Sequence, residues 1–119
     1  MEKLNIPVND DLLSEVREYV SAGLEVSACS DEGKAELLTA LDELLPRLAK
    51  ADGGTGNLIV SVENTAAGSG VQLMHAGPIF NPYLDAPDSY TCMHMDEISF
   101  EFKYGRNVLT VFRRAEPKQ

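Results

Sequence analysis

The sequence predicts an α+β chain built as a two-layer sandwich, a mainly antiparallel or mixed sheet with two helices on one face. Three observations carry this. Two stretches of the first half repeat apolar residues at three-and-four spacing, the mark of amphipathic helices. After Gly53-Gly54 the apolar period drops to two. Helices and strands are segregated along the chain, which argues against the alternating order of a doubly wound parallel fold. The 119 residues, 44% hydrophobic and 24% charged, suit one domain, because about 100–200 residues make a domain of this kind.

Leu4, Ile6 and Val8 alternate with polar or turn residues and read as a strand at 3–8, ended by Pro7 and Asn9-Asp10. Asn9 or Asp10 then caps a helix over 11–26 with the stripe Leu12, Leu13, Val16, Tyr19, Val20 and Leu24. Ser30, with Asp31 and Glu32 in the first turn, starts a second helix over 31–51, where negative charge suits the helix dipole. Its stripe is Leu37, Leu38, Leu41, Leu44, Leu45 and Leu48, and Gly53-Gly54 ends it. Pro46 inside that stripe removes the hydrogen bond to the Asp42 carbonyl, and a bend is expected there. Strands at 57–64 and 70–76 form a hairpin across the small residues Ala66 to Gly70. Strands at 96–103 and 107–114 form a second hairpin across Tyr104-Gly105-Arg106, with Ile98, Phe100 and Phe102 opposite Val108, Thr110 and Phe112. The proline-rich stretch between the hairpins reads as a long ordered loop with a helical turn near Tyr90.

Ten Lys and Arg against nineteen Asp and Glu leave a formal charge of −9. Such a chain repels phosphate backbones and anionic lipid, so nucleic-acid and membrane binding are not expected. No apolar run approaches the ~18 residues of a membrane span, and Met1 to Pro7 lack a signal-type apolar region. With only Cys29 and Cys92, far apart, a reducing cytoplasm is the expected compartment. Cys92, His94 and Met95 are soft ligands within four residues, too local to enclose a metal. Neither cysteine lies in a nucleophile motif.

Four segments in order resemble one family. Leu41-Asp42-Glu43-Leu44-Leu45 is similar to an N-box helix. Gly77-Pro78-Ile79-Phe80-Asn81-Pro82 with Ala86-Pro87-Asp88 is similar to an Asp-Asp-Gly-Pro-Pro-Phe segment and the stretch behind it. Asp96 to Glu101 and Gly105 to Thr110 are similar to a closing hairpin. Over nearly its whole length the chain resembles the bacterial anti-sigma-factor serine kinases of the GHKL superfamily of histidine-kinase-like ATPases. The resemblance implies a single domain, 1–119, with a reduced form of that ATP-binding fold and a remnant lid loop at 78–95.

The chain departs from that pattern in its nucleotide chemistry. Where the family has the magnesium-binding Asn, this sequence has Arg47, and a guanidinium cannot ligate a metal. Where the family has the adenine-binding Asp, it has His75, followed by Ala76 and Gly77. The glycine-rich lid whose amides cradle phosphate is replaced by Ser89 to Met95, without glycine. Glu43 stands where the active kinases place their general base, and with Arg47 it also makes an i,i+4 surface pair worth about 0.3–0.5 kcal/mol, opposite the leucine stripe. Glu43, Arg47, His75 and Gly77 are thus the positions of a degenerate nucleotide site. Phe80 and Tyr83 are expected to fill the space of the adenine, and Phe80, Tyr83 and Tyr90 to supply a contact surface.

The expected function is a non-catalytic regulatory, protein-interaction module with no cofactor and no metal. The alternative is a divergent ATP-binding protein or serine/threonine kinase acting on an anti-sigma antagonist, with ATP, magnesium and Glu43 as its base. The resemblance implies a protein partner such as a sigma factor or an anti-anti-sigma protein, and allows a homodimer through the first strand and helix.

Overall fold

The computed structural model describes residues 2–9, 11–52, 56–81 and 88–115. Strand β1 (Leu4–Pro7) leads into helix α1 (Leu12–Gly23), which tightens into a 3-10 turn at Leu24–Val26, and helix α2 follows at Asp31–Asp52. The hairpin β2 (Asn57–Thr65) and β3 (Gly68–Ala76) comes next, then a short helix α3 (Tyr90–His94) and the hairpin β4 (Glu97–Lys103) and β5 (Arg106–Arg114). The five strands form one sheet in the order β1-β2-β3-β5-β4, and every neighbouring pair is antiparallel. This is the expected two-layer α+β sandwich. Among the described residues no helix is long and apolar enough to cross a membrane.

The periodicities of the sequence become faces. From α1, Leu12, Val16 and Val20 are buried, and from α2, Leu37, Leu41, Leu44, Leu45 and Leu48. They meet Leu58 and Val60 of β2, Val71 and Leu73 of β3, and Leu109 and Val111 of β5 in one core. The sheet's other face carries half-buried and exposed residues such as Ile59, Gln72 and Thr110. The N-cap of α1 is Asp11, without a side-chain cap bond, not Asn9 or Asp10. Asn9 instead accepts the Asp11 amide on its Oδ1 at 2.9 Å in the turn before the helix, while Ser30 Oγ accepts the Gly33 amide at 3.1 Å and caps α2 as expected. Helix α2 continues through Pro46. The proline and Asp42 are both on the exposed side, where the unbonded carbonyl of Asp42 can turn to water. The expected stop at Gly53-Gly54 lies outside the described residues.

Two features of the hairpins depart from expectation. The β2–β3 turn is confined to Ala66-Ala67, so Gly68 and Gly70 lie within β3. The β4–β5 turn is Tyr104-Gly105, not three residues, and Lys103 pairs with Arg106. Both turn residues have positive φ, 54° and 73°, the backbone of a type I′ turn, whose twist matches that of paired strands. The shorter turn shifts the register by one residue: Phe100 faces Leu109 and Ile98 faces Val111. Because side chains alternate, that single step turns Leu109 and Val111 into the core and Val108 and Phe112 to the open face.

A half-buried polar chain ties α1 to the first hairpin. The Cys29 amide donates to Ser27 Oγ at 3.0 Å, Ser27 and Ser69 hydroxyls share a 2.5 Å bond, Ser69 Oγ donates to Asn64 Oδ1, and Asn64 Nδ2 donates to the Gly23 carbonyl at 2.8 Å. Each group is satisfied, as burial demands.

The two strand glycines should respond differently to substitution. At Gly68, with φ 153°, a Cβ would collide with the Arg113 carbonyl and approach Arg114 Cα to 2.8 Å. At Gly70 it would meet only ordinary contacts at 3.5–3.8 Å. Urea denaturation should therefore show Gly68→Ala destabilised by at least about 1–3 kcal/mol. Gly70→Ala should stay within about 1 kcal/mol of the parent, on the stable side if anything.

Candidate functional site

Of the expected site residues, Glu43, Arg47, His75, Gly77, Phe80 and Tyr90 are described, and they lie around the second half of α2, the end of β3 and helix α3. Glu43 projects from α2 between the buried Ala40 and Leu44 and is three-quarters covered. Its carboxylate accepts the Tyr90 amide on Oε2 at 2.8 Å and the Thr91 amide on Oε1 at 3.1 Å. These are first-turn N–H groups of α3, which an isolated helix leaves without acceptors. Ser89 completes the cap by accepting the Cys92 amide at 3.3 Å. Thr91 is wholly buried, and its hydroxyl reaches the Ala40 carbonyl on α2 at 3.4 Å. The sequence placed Glu43 on an open surface, but α3 covers it.

Burial of Glu43 alone pushes its pKa up. Hydrogen bonds from the Thr91 side chain and amide, the Tyr90 amide and the Ser89 hydroxyl outweigh that and hold it below the ordinary carboxylate value. A carboxylate so stabilised is a weak proton acceptor, and a general base works best with its pKa near the operating pH.

Arg47, one turn on, approaches Glu43 Oε1 only to 3.8 Å. Its guanidinium lies 5.6 Å from the centre of the Phe80 ring, within cation–π reach. Phe80 itself is 4% exposed and belongs to the core, which leaves it no area to offer a partner.

His75 is buried on the helix side of β3, opposite Leu58 of β2 and Asn107 of β5. Gly77 follows at φ 135°, a backbone that side chains rarely adopt, and it turns the chain off the sheet. Asn107, buried in β5, catches the departing segment twice. Its Oδ1 accepts the Phe80 amide at 2.8 Å and its Nδ2 donates to the Pro78 carbonyl at 2.8 Å. Tyr90 is half-buried and stacks on His94, ring centres 4.1 Å apart. Tyr83 lies outside the described residues, as does the middle of the 78–95 loop.

Sequence reasoning missed three participants. Asn107 is a weak strand former in a run of Val, Leu, Thr and Phe, and that mismatch was the available signal. Thr91 gave none. The third is a cluster beyond α3. Asp96 Oδ2 accepts Arg113 Nη1 at 2.8 Å and the Arg114 amide at 2.7 Å, and Glu36 of α2 lies 3.3 Å from Arg113 Nε. The Arg114 amide is the main cause that lowers the pKa of Asp96, with Arg113 adding to it against burial. The Asp96 hydrogen bond in turn raises that of Arg113. Among the described residues no group of three or more His, Cys, Asp or Glu could hold a metal ion.

No protein-family model matches the chain, and no curated protein matches it either.

The Glu43 cap has a pH signature. Its folded pKa is depressed, so its contribution to stability is present above the unfolded carboxylate value of about 4.3 and is lost as pH falls through the lower folded value. We expect Glu43→Ala to cost about 1–2 kcal/mol at pH 7, the range for a lost helix cap. The gap between variant and parent should narrow as pH falls below about 4. Denaturant melts from pH 7 to pH 3 check both.

Proposed function

We infer that this chain is a non-catalytic regulatory module, which acts through protein contacts on a scaffold derived from the anti-sigma-factor serine kinases. The observation that carries the reading is the occupation of Glu43. The acid that stands where those kinases keep a general base gives both oxygens to backbone amides of α3, is three-quarters covered and has its pKa held low, which makes it a poor base for a substrate hydroxyl. Two further points support it. Arg47 brings positive charge where the family binds magnesium, and packs over Phe80. Phe80 is buried in the core, in keeping with the idea that it fills adenine's space.

In this reading the partner is a protein such as a sigma factor or an anti-anti-sigma protein. The contact surface includes the outer side of α3, where Tyr90 is half-exposed and Met93 is 70% exposed. Because Glu43 holds α3 in place, its loss would disturb that surface indirectly. The cytoplasm suits the two free thiols.

Nucleotide decides between this reading and an ATP-dependent one. A ligand that binds only the folded state adds about 2.7 kcal/mol of stability at 100 times its dissociation constant. We expect millimolar ATP with magnesium to leave the melting temperature unchanged. A magnesium-dependent rise would instead favour a divergent ATP-binding protein or kinase.

A further inference from the structure

Strand β4 closes one side of the sheet, and among the described residues no strand pairs with its outer edge. The direction of its main-chain groups follows from the neighbouring strands. The Ala115 amide donates to the Ala67 carbonyl at 2.8 Å, one step beyond the Gly68–Arg114 pair. Bonding alternates along an antiparallel strand, so odd residues of β5 bond to β3 and even ones to β4. The carbonyl of Phe112, an even residue, is likewise turned to the β4 side, where it accepts the Asp96 amide at 3.0 Å just before the strand begins. In β4, Glu97, Ser99, Glu101 and Lys103, opposite those even residues, therefore turn their amides inward. Ile98, Phe100 and Phe102 present theirs on the free edge.

An antiparallel copy of β4 laid on this edge about a two-fold axis at Phe100 uses all three outward residues. Phe100 then bonds to Phe100 of the copy and Ile98 to Phe102 of the copy, giving about six main-chain hydrogen bonds. The side chains agree with that register on both faces. On the helix side, Ile98, Phe100 and Phe102 meet the same three residues, and the half-exposed Phe102 (43%) gains cover. Nearby Ile79, 64% exposed, lies between the two loop positions held by Asn107, the residue opposite Phe102. On the open side, Glu97 faces Lys103 of the copy and Ser99 faces Glu101 of the copy, so neither acid meets an acid. The charge order along β4 is thus complementary to its own reverse. Edge strands with exposed main chain invite such pairing, and a two-fold interface must be self-complementary in this way.

We propose that β4 is a homodimer interface, through which two copies join their sheets into one continuous antiparallel sheet. It places self-association at β4, where the resemblance placed it at the first strand and helix. The other edge, β1, is only four residues long and ends on Pro7, which has no N–H to give. This interface stands apart from the regulatory reading and from the state of the Glu43 site.

Sedimentation equilibrium of the full chain with charge reversals tests it. The parent should show a monomer–dimer equilibrium. Glu97→Lys and Lys103→Glu each set like charges opposite one another at two symmetric places and should weaken dimerisation about tenfold. The double variant Glu97→Lys/Lys103→Glu restores the pairing and should return to within about threefold of the parent. Ser99→Lys puts a cation opposite Glu101 of the copy and should tighten the dimer. A parent that stays monomeric at about 1 mM, single reversals without effect, or a double variant no better than the singles would each overturn the proposal.

Discussion

The carboxylate of Glu43 on the amides of Tyr90 and Thr91 is the contact on which one end of this molecule depends. Helix α3 is five residues long, far below the length at which a helix stands alone in water. It exists because a charge on α2 satisfies its first N–H groups and complements its dipole. Once placed, α3 buries Thr91 against α2 and delivers Met95 to the core. It also sets Asp96 where the Arg113 side chain and the Arg114 amide bind it. The start of β4 is therefore fixed by a side chain more than forty residues earlier in the chain.

Acidity acquires a structural meaning from this. A charge of −9 reads first as solubility and as repulsion from phosphate. Yet two of the acids, Glu43 and Asp96, serve as acceptors for main-chain amides, and both have lowered pKa values with those amides among the causes. The groups that repel polyanions also hold the last third of the chain to the helix layer. The opposite role falls to Asn107, a neutral side chain that uses both its acceptor and its donor to hold the loop backbone at Pro78 and Phe80.

The layers, the helix stripes, the cap at Ser30 and the turn of helix at Tyr90 were legible in the sequence, because each follows from local periodicity or local side-chain chemistry. The register of the last hairpin was not. It hangs on whether the turn holds two residues or three, and the two-residue turn needs Tyr104 at positive φ, which its side chain does not advertise. A single step then decides whether Leu109 or Thr110 faces Phe100. The site was half legible. Glu43, Arg47, His75, Gly77 and Phe80 do lie around the second half of α2 and the end of β3, but the i,i+4 spacing of Glu43 and Arg47 suggested partners for each other. The stronger partners of Glu43 are amides 47 and 48 residues away, which no local pattern encodes.

Amide hydrogen exchange at Tyr90 and Thr91, followed by NMR from neutral pH into acid, tests most directly whether Glu43 closes this end of the protein. First-turn amides of an uncapped helix exchange almost as in an unfolded chain, since they have no intrahelical acceptor. If the carboxylate holds them, both will be protected at neutral pH and will lose that protection together as Glu43 takes up its proton, below the ordinary carboxylate range. Unprotected amides at neutral pH, or protection indifferent to acid while the rest of the fold persists, would contradict the account.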